Sequence, residues 1–267
     1  FDGDSFLGSR GGAKASAEFL YIAPLLNKGI TVRDLCEVTR IQRARPVDGS
    51  GYIVHFTDLT TKHAGCVRAK RVVLAAGTMN TVRLLFASAA TPDGLVAMPA
   101  LGRGFSANGD LVGTWERKSA PTSSFYSTPS HGAFTVEGHE AATYGVGGFP
   151  GLHTLPLPSI IKRRIAKTFF LYGMGADSGT GLVTCEDGHL RVTYDPRKEP
   201  IYDEVRAAFR VLSSESGDKL WAIGKPLTVH AGGGACVGPD AKHGVVDHRG
   251  EIYGNPGLFV ADGAALP

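Results

Sequence analysis

The stretch RVVLAAGTMNTVRLLFASAA, residues 71–90, contains the elements that decide the fold. Residues 72–76 carry no polar side chain, and this short apolar run predicts a buried strand. The run breaks at Gly77, after which apolar residues recur with helical spacing at Val82, Leu85 and Phe86. A strand, a glycine and a helix in this order are typical of α/β units that bind nucleotides.

The regions on either side of this unit predict a mixed α/β (α+β) chain with two domains. Upstream, apolar and polar residues alternate around the turn signals Asp48-Gly49 and His63-Ala64-Gly65, which predicts a small meander of strands. Residues 101–225 are rich in Gly, Pro, Thr and Ser and contain strand-like stretches at 181–187 and 189–195. They also contain a helical stretch, PIYDEVRAAFRVLSSESG, that Gly217 closes. We therefore assign 101–225 to a second domain, and 1–100 with 226–267 to the first.

The charge balance argues against some classes of partner. The chain has 267 residues, with 28 Lys and Arg against 25 Asp and Glu, and these charges are scattered along the sequence. This balance favours neither nucleic acid nor an anionic membrane as a partner. No apolar run is long enough to span a bilayer, and the chain opens on Phe1 without a charged and then apolar leader. We therefore expect a cytoplasmic location.

The four cysteines indicate no metal or redox site. They stand at positions 36, 66, 185 and 236, and no pair has the spacing of a zinc site or a redox dithiol. We expect four free thiols and no bound metal.

The stretch LTVHAGGGAC, residues 227–236, places a histidine directly before a run of three glycines. We predict a short strand at LTVHA, and a histidine on such a strand is often a buried residue with a satisfied hydrogen bond. The glycines offer another interpretation, because they would let a planar ligand press against the backbone. In that setting His230 is a candidate acid/base group, since an imidazole titrates near neutral pH.

The stretch GLFVADG, residues 257–263, predicts another strand that ends in a glycine turn. Asp-Gly after a strand is often only a turn. Asp262 would, however, lie at the carboxyl end of a buried strand, where open α/β sheets place their ligands, and could accept a hydrogen bond from a ribose or ribityl hydroxyl. The Gly-x-Gly patterns at 102–104 and 173–175 do not lie between a clear strand and a helix, so we reject both as dinucleotide fingerprints.

Three blocks of the sequence carry a family resemblance. RVVLAAGTMNTVRLLFAS (71–88), LGRGFSANGD (101–110) and the last 39 residues from VHAGGGAC onward resemble the glucose–methanol–choline (GMC) flavoprotein oxidoreductases, most closely their cholesterol-oxidase-like branch. The resemblance implies part of a glutathione-reductase-like FAD-binding domain and a substrate domain with an antiparallel sheet. It also implies oxidation of an alcohol by hydride transfer to FAD.

The resemblance also implies roles for individual residues. His230 matches the active-site histidine, and a substrate-side carboxylate is expected from the sheet domain. Glu137 is our choice for it, with Glu140 behind, although either could be a solvated surface residue. The positions that match flavin-contacting or adenine-contacting residues of the family are Val38, Gly77, Asn108, Gly109, Asp262 and Gly263.

The sequence departs from the family in three places. The amino-terminal strand–GxGxxG–helix, which holds the FAD pyrophosphate, is absent, and the family continues past DGAALP into a segment with a second active-site residue. HAGGGAC stands where the family usually has His-Pro-Leu-Gly-Gly. We therefore expect a fragment whose missing partner is the remainder of its own polypeptide.

The expected substrate is a small-molecule apolar alcohol, with a sterol-like alcohol as the specific candidate. Two alternatives stay open at this stage: a cofactor-free fragment or degenerate paralogue that acts as a binding module, and a flavin-dependent isomerase or desaturase on the same fold. A serine hydrolase is disfavoured because no G-x-S-x-G occurs in the sequence.

Overall fold

The structure is a computed structural model, and it describes residues 15–45, 51–96, 98–119, 123–128, 130 and 132–267. The chain forms two compact units, each built from three separate segments. The first unit contains described residues from 1–32, 109–177 and 196–228, and the second contains those from 33–108, 178–195 and 229–267.

These units differ from the predicted domains in several segments: residues 15–32 and 226–228 group with the predicted second domain, and residues 101–108 and 178–195 group with the predicted first domain. The last two segments join the second unit because β5 (Arg103–Phe105), β10 (Gly181–Glu186) and β11 (His189–Thr193) form one antiparallel sheet in the order β11-β10-β5. The strand-like stretches predicted at 181–187 and 189–195 are thus confirmed as β10 and β11. The assignment of a flavin-binding or substrate-binding role to each part stays a prediction.

The meander predicted upstream of Gly77 is confirmed in the second unit. Strands β1 (Cys36–Arg43), β2 (Tyr52–Asp58) and β3 (Ala64–Ala69) form an antiparallel sheet in chain order. The predicted turn at Asp48-Gly49 lies outside the described residues. The turn predicted at residues 63–65 lies earlier, because Asp58 Oδ1 accepts hydrogen bonds from the amides of Thr60 (2.8 Å) and Thr61 (2.9 Å).

Strands β4 (Val72–Leu74) and β13 (Leu258–Val260) form a parallel pair, in register from Val72 opposite Leu258 to Leu74 opposite Val260. The strand predicted over residues 72–76 is real but shorter, because β13 ends at Val260 and the chain then turns into a short helix. It is also less buried than expected, since Val73 is 61% exposed.

Helix α2 (Thr78–Ala89) follows β4, as the apolar spacing predicts. Its residues Val82 and Leu85 are fully buried and Phe86 packs against the same core. The helix is also tied to the meander, because the buried Ser88 hydroxyl accepts a hydrogen bond from the amide of Ile41 (2.9 Å). The core of this unit thus places the start of α2 at one edge of the β4–β13 pair.

The first unit is built on five strands: β6 (Leu111–Glu116), β7 (Gly132–Phe134), β8 (Ala142–Gly147), β9 (Thr168–Gly175) and β12 (Lys219–Ala222). They form one antiparallel sheet in the order β12-β6-β9-β8-β7. Helix α4 (Pro200–Ser216) packs on one face of this sheet through Ile201 and Val205, against the backbone of Gly173 and Gly175. It ends at Gly217, whose φ of +66° provides the left-handed cap that the sequence predicts.

Short helices connect these elements. A π-helical turn (Glu18–Ile22) leads into α1 (Ala23–Leu26), and α3 (Ser159–Ile165) precedes β9. The 3₁₀ helices span Ser124–Tyr126, Leu152–Thr154, Pro196–Lys198 and Gly263–Ala265. Among the described residues, no helix has both the length and the apolar character that crossing a bilayer requires.

The strand predicted at LTVHA is wrong. Residues 227–231 form an irregular segment in which Val229 is 87% exposed. Side chains rather than a neighbouring strand hold this segment at two points. The Thr228 hydroxyl donates to Asp110 Oδ2 (2.7 Å), and the Ala231 carbonyl accepts from the Thr78 hydroxyl (2.6 Å).

Candidate functional site

The carboxyl ends of β4 and β13 lie at the same edge of the sheet because the two strands are parallel. Gly77 follows β4 and Asp262 follows β13, and the Gly77 amide donates to Asp262 Oδ2 (3.0 Å). The Thr81 hydroxyl donates to the same oxygen (2.6 Å). The structure therefore brings Gly77, Asp262 and the adjoining Gly263 together. We call this place, at the carboxyl ends of β4 and β13, the sheet edge; open α/β sheets place their ligands at such an edge.

Asp262 is a structural residue at this edge. Its second carboxylate oxygen accepts from the amide of Ala264 (2.9 Å), which caps the 3₁₀ helix Gly263–Ala265. One carboxylate thus fixes the end of β13 relative to the start of α2. The turn interpretation of Asp-Gly is confirmed, and any flavin contact by Asp262 would come in addition to these three hydrogen bonds.

Gly77 has the conformation and the space that close approach of a ligand needs. Its φ is +82°, which favours glycine, and the residue is exposed. A Cβ built at this position would have no protein atom within 4 Å. The absence of a side chain therefore leaves the backbone at the start of α2 open.

His230 lies on the irregular segment beside the sheet edge. It is exposed, so the interpretation as a buried core histidine is wrong. The hydrogen bond from Thr78 to the carbonyl of the next residue, Ala231, ties this segment to the first turn of α2. A second bond, from the Gly233 amide to the Gly263 carbonyl (2.9 Å), ties the glycine run to the Asp262 turn.

Two of the three glycines, Gly233 and Gly234, serve the packing of the chain itself, which differs from the ligand-contact reason predicted for the run. Gly233 has φ +82°, and a Cβ there would clash with the carbonyl oxygen of Gly104. Gly234 has φ +87°, and its Cβ would lie 2.7 Å from Val82. Close approach of the Gly104 backbone at Gly233 and of the Val82 side chain at Gly234, together with a positive φ at both, therefore requires glycine at these two positions.

Asn108 follows a segment that pairs with the glycine run. Ser106 and Gly232 exchange two backbone hydrogen bonds of 3.0 Å each, and the Ser106 hydroxyl accepts from the Asn108 amide (2.9 Å). Asn108 is left-handed, with φ +57°. Gly109 belongs to the first unit, where its φ of +54° and the nearby Gly175 carbonyl exclude a side chain.

Val38 lies farther along the second unit. It is 37% exposed on β1, beside a bulge in the pairing with β2. Its neighbour Glu37 forms an ion pair with Arg83 of α2 (3.4 Å), which places this part of β1 alongside the helix. Within the described residues, no hydrogen bond connects the Val38 position with Gly77 or Asp262.

Glu137 and Glu140 lie on the turn between β7 and β8 in the first unit, and both are exposed. Glu140 Oε1 accepts from the Gly138 amide (2.8 Å), and this hydrogen bond lowers the pKa of the Glu140 carboxyl. A substrate-side role for Glu137 stays a prediction.

Cys236 ends the glycine run as a half-buried thiol. Its Sγ donates to the carbonyl of Arg103 (3.4 Å), and burial raises the pKa of the thiol. Burial therefore disfavours the thiolate, which is the form of cysteine that acts as a nucleophile. All four cysteines are free, and the described residues contain no group of three His, Cys, Asp or Glu side chains that could hold a metal ion.

Two residues of the sheet edge were missed by the sequence analysis. The hydroxyls of Thr78 and Thr81 connect α2 to Ala231 and to Asp262. Hydroxyl residues in the first turn of a helix commonly bond to nearby backbone or side chains, and this pattern directly after Gly77 was the available signal.

Comparison with known proteins identifies the carboxyl-terminal part of the chain. Residues 175–267, which include His230, the glycine run and Asp262, match the family model described as GMC oxidoreductase. These residues resemble GMC oxidoreductases. The resemblance seen in the sequence is thereby confirmed for this part of the chain.

Curated relatives agree with this GMC assignment. Cholesterol oxidases from two strains of Mycobacterium tuberculosis, CDC 1551 / Oshkosh and ATCC 25618 / H37Rv, are each 54% identical to this chain over 79 residues. The matching segment covers 30% of this chain and 13% of each cholesterol oxidase. The chain therefore matches only a small part of the length of these relatives.

Solved structures confirm the fold class. An FAD-dependent oxidoreductase from Chaetomium thermophilum superposes with a TM-score of 0.61 at 13% identity, over 94% of this chain and 60% of that protein. A fungal aryl-alcohol oxidase superposes with a TM-score of 0.54 at 14% identity, over 87% of this chain and 56% of that protein. The mixed α/β fold with antiparallel sheets is thus shared with these two proteins.

Proposed function

We propose that this chain is part of an FAD-dependent oxidoreductase that oxidises an alcohol by hydride transfer to flavin. The observation that carries the proposal is the hydrogen-bonded sheet edge. There Asp262 binds the amide of Gly77, and Thr78 binds the segment that bears His230. These residues come from distant parts of the sequence, and the family match covers two of them, His230 and Asp262.

The residues at the sheet edge fit FAD. Open space in front of Gly77 would allow a large planar group to approach the backbone closely. The Asp262 carboxylate holds that backbone in place through hydrogen bonds to two elements. The residues that would hold FAD, by the family resemblance, are Val38, Gly77, Asn108, Gly109, Asp262 and Gly263.

Bound FAD would supply the hydride acceptor of the reaction. His230 would act on the hydroxyl proton of the alcohol, which must leave as well as the hydride. A neutral imidazole accepts the hydroxyl proton of the alcohol, which makes the carbon a better hydride donor. The alcohol loses one proton to His230 and one hydride and becomes a carbonyl compound. His230 is an exposed residue.

The proposed substrate is a bulky apolar alcohol, and a sterol is the specific candidate. The 54% identity with cholesterol oxidases over a segment of 79 residues supports this choice. Glu137 is the proposed substrate-side carboxylate on the family resemblance, and it is exposed in the first unit.

The proposal assigns the reaction to a longer polypeptide. The matched segment covers 13% of the cholesterol oxidases, and the chain covers 60% of the Chaetomium structure. The partner of this chain would then be the remainder of its own polypeptide, including a GxGxxG segment for the pyrophosphate.

Anaerobic mixing tests this function. The full-length protein, loaded with FAD, is mixed with cholesterol or with a smaller aromatic alcohol, and the visible spectrum is followed. We expect the flavin band to bleach, with one carbonyl product formed for each flavin reduced. A rearranged or unsaturated product would instead identify an isomerase or desaturase, and an unchanged substrate would refute alcohol oxidation.

A further inference from the structure

Large apolar side chains are exposed around helix α3 of the first unit. Tyr126 is 75% exposed, Leu155 44%, Ile160 69% and Ile161 45%, and α3 has no buried residue. We call the surface formed by Tyr126, Leu155 and residues 159–167 the α3 patch. Isolated exposed apolar residues are common on proteins, whereas several together mark an interaction surface.

Described contacts join the parts of the α3 patch into one surface. The rings of Tyr126 and His153 are 5.2 Å apart between centroids. The Nζ of Lys162 in α3 donates to the carbonyl of His153 (2.7 Å). The 3₁₀ helix that bears His153 therefore links Tyr126 to α3, and Leu155 follows this helix directly.

The α3 patch is also basic. Four cations, at positions 162, 163, 164 and 167, lie in the sequence KRRIAK, and no Asp or Glu occurs between Glu140 and Asp177. Arg164 forms an ion pair with Glu116 (3.0 Å). In the part of the chain that the structure describes, neither Arg163 nor Lys167 forms an ion pair. Uncompensated positive charge therefore lies next to exposed isoleucines.

A surface of this composition fits one kind of partner. Short helices that bind membrane surfaces present apolar residues, which enter the boundary between headgroups and acyl chains, next to lysine and arginine, which face anionic lipids. A small anion would use only the cations, and an apolar partner only the isoleucines. We propose that the α3 patch docks on the surface of an anionic lipid bilayer. The charge balance of the whole chain, from which the sequence analysis disfavoured an anionic membrane, does not show this local group of four cations.

Vesicle binding tests the proposal without any readout of activity. The full-length protein is floated with vesicles of phosphatidylcholine alone, or of phosphatidylcholine mixed two to one with phosphatidylserine. We expect binding to the mixed vesicles only, and less binding as salt is raised, because salt screens exposed charges. The variant R163Q/K167Q should bind about 30-fold more weakly. Each cation near an anionic surface contributes a similar share of the binding free energy, and about 30-fold corresponds to about 2 kcal/mol for the pair. The variant I160S/I161S should bind at least about tenfold more weakly.

A matched variant controls for loss of net charge. K70Q/R71Q removes the same two charges from exposed positions in the second unit, and we expect its vesicle binding to be unchanged. Equal binding to neutral vesicles, or an equal loss in the control, would overturn the proposal. Self-association that the isoleucine variant abolishes, without vesicle binding by the parent protein, would identify a second copy as the occupant and would also overturn it.

Discussion

Replacement of His230 by alanine should lower turnover of the full-length enzyme by about 10²–10⁴-fold, the range typical of a general acid/base group. The expected loss arises because the hydroxyl proton would lose its proposed acceptor as the hydride leaves. His230 is exposed and its segment is held through the backbone of Ala231, so truncation of the imidazole should leave the fold intact. Steady-state kcat with the identified alcohol is the measurement.

The matched control for this substitution is His63→Ala. His63 is an exposed histidine between β2 and β3, and its removal should leave turnover unchanged. If His230→Ala retains the parent kcat, the proton-accepting role assigned to this imidazole is wrong.

Replacement of Gly233 by alanine should destabilise the second unit by about 2–6 kcal/mol. The estimate combines about 1–3 kcal/mol for a side chain at positive φ with about 1–3 kcal/mol for overpacking. Both costs apply here, because φ is +82° and the new methyl group would clash with the Gly104 carbonyl. The midpoint of urea unfolding should fall accordingly.

Gly232→Ala provides the comparison within the same glycine run. A Cβ at Gly232 would meet its nearest neighbours, the Gly263 carbonyl and Leu266, at an ordinary 3.7 Å. We expect a change of about 0.5 kcal/mol or less in the free energy of unfolding. Equal destabilisation by the two substitutions would contradict the packing role assigned to Gly233.

The parts of the fold that depend on local sequence could be predicted. Apolar spacing and a terminal glycine predicted α2 and α4, and Gly217 caps α4 in the expected left-handed conformation. These features follow from the helical period and from the freedom of glycine at positive φ, which neighbouring residues alone determine.

The strand predicted at LTVHA shows where local patterns fail. Alternating residues fit a strand, but a strand needs a neighbouring strand, and hydrogen bonds from the side chains of Thr78 and Thr228 hold this segment instead. The extent of β4 was misjudged for a similar reason. Its length depends on where β13 ends, and β13 lies far away in the sequence.

The residues of the candidate site could be proposed from the sequence, but the contacts between them could not. The sequence proposed Gly77, Asp262 and His230, and the structure gives the hydrogen bonds that connect their segments at one edge. The function of the glycine run could not be found in this way, because the atom that excludes a side chain at Gly233 belongs to Gly104. Contacts of this kind between distant residues become visible only in three dimensions.

The central claim is that FAD binds against the open backbone at Gly77, and a titration of the full-length protein with FAD tests it most directly. Gly77→Ala and Gly188→Ala both place a methyl group at a positive φ (+82° and +76°) with no protein atom within 4 Å. We predict that Gly77→Ala raises the Kd for FAD at least about tenfold, or roughly 1.4 kcal/mol, and that Gly188→Ala leaves it unchanged. Equal FAD affinity in both variants and the parent protein would contradict the claim.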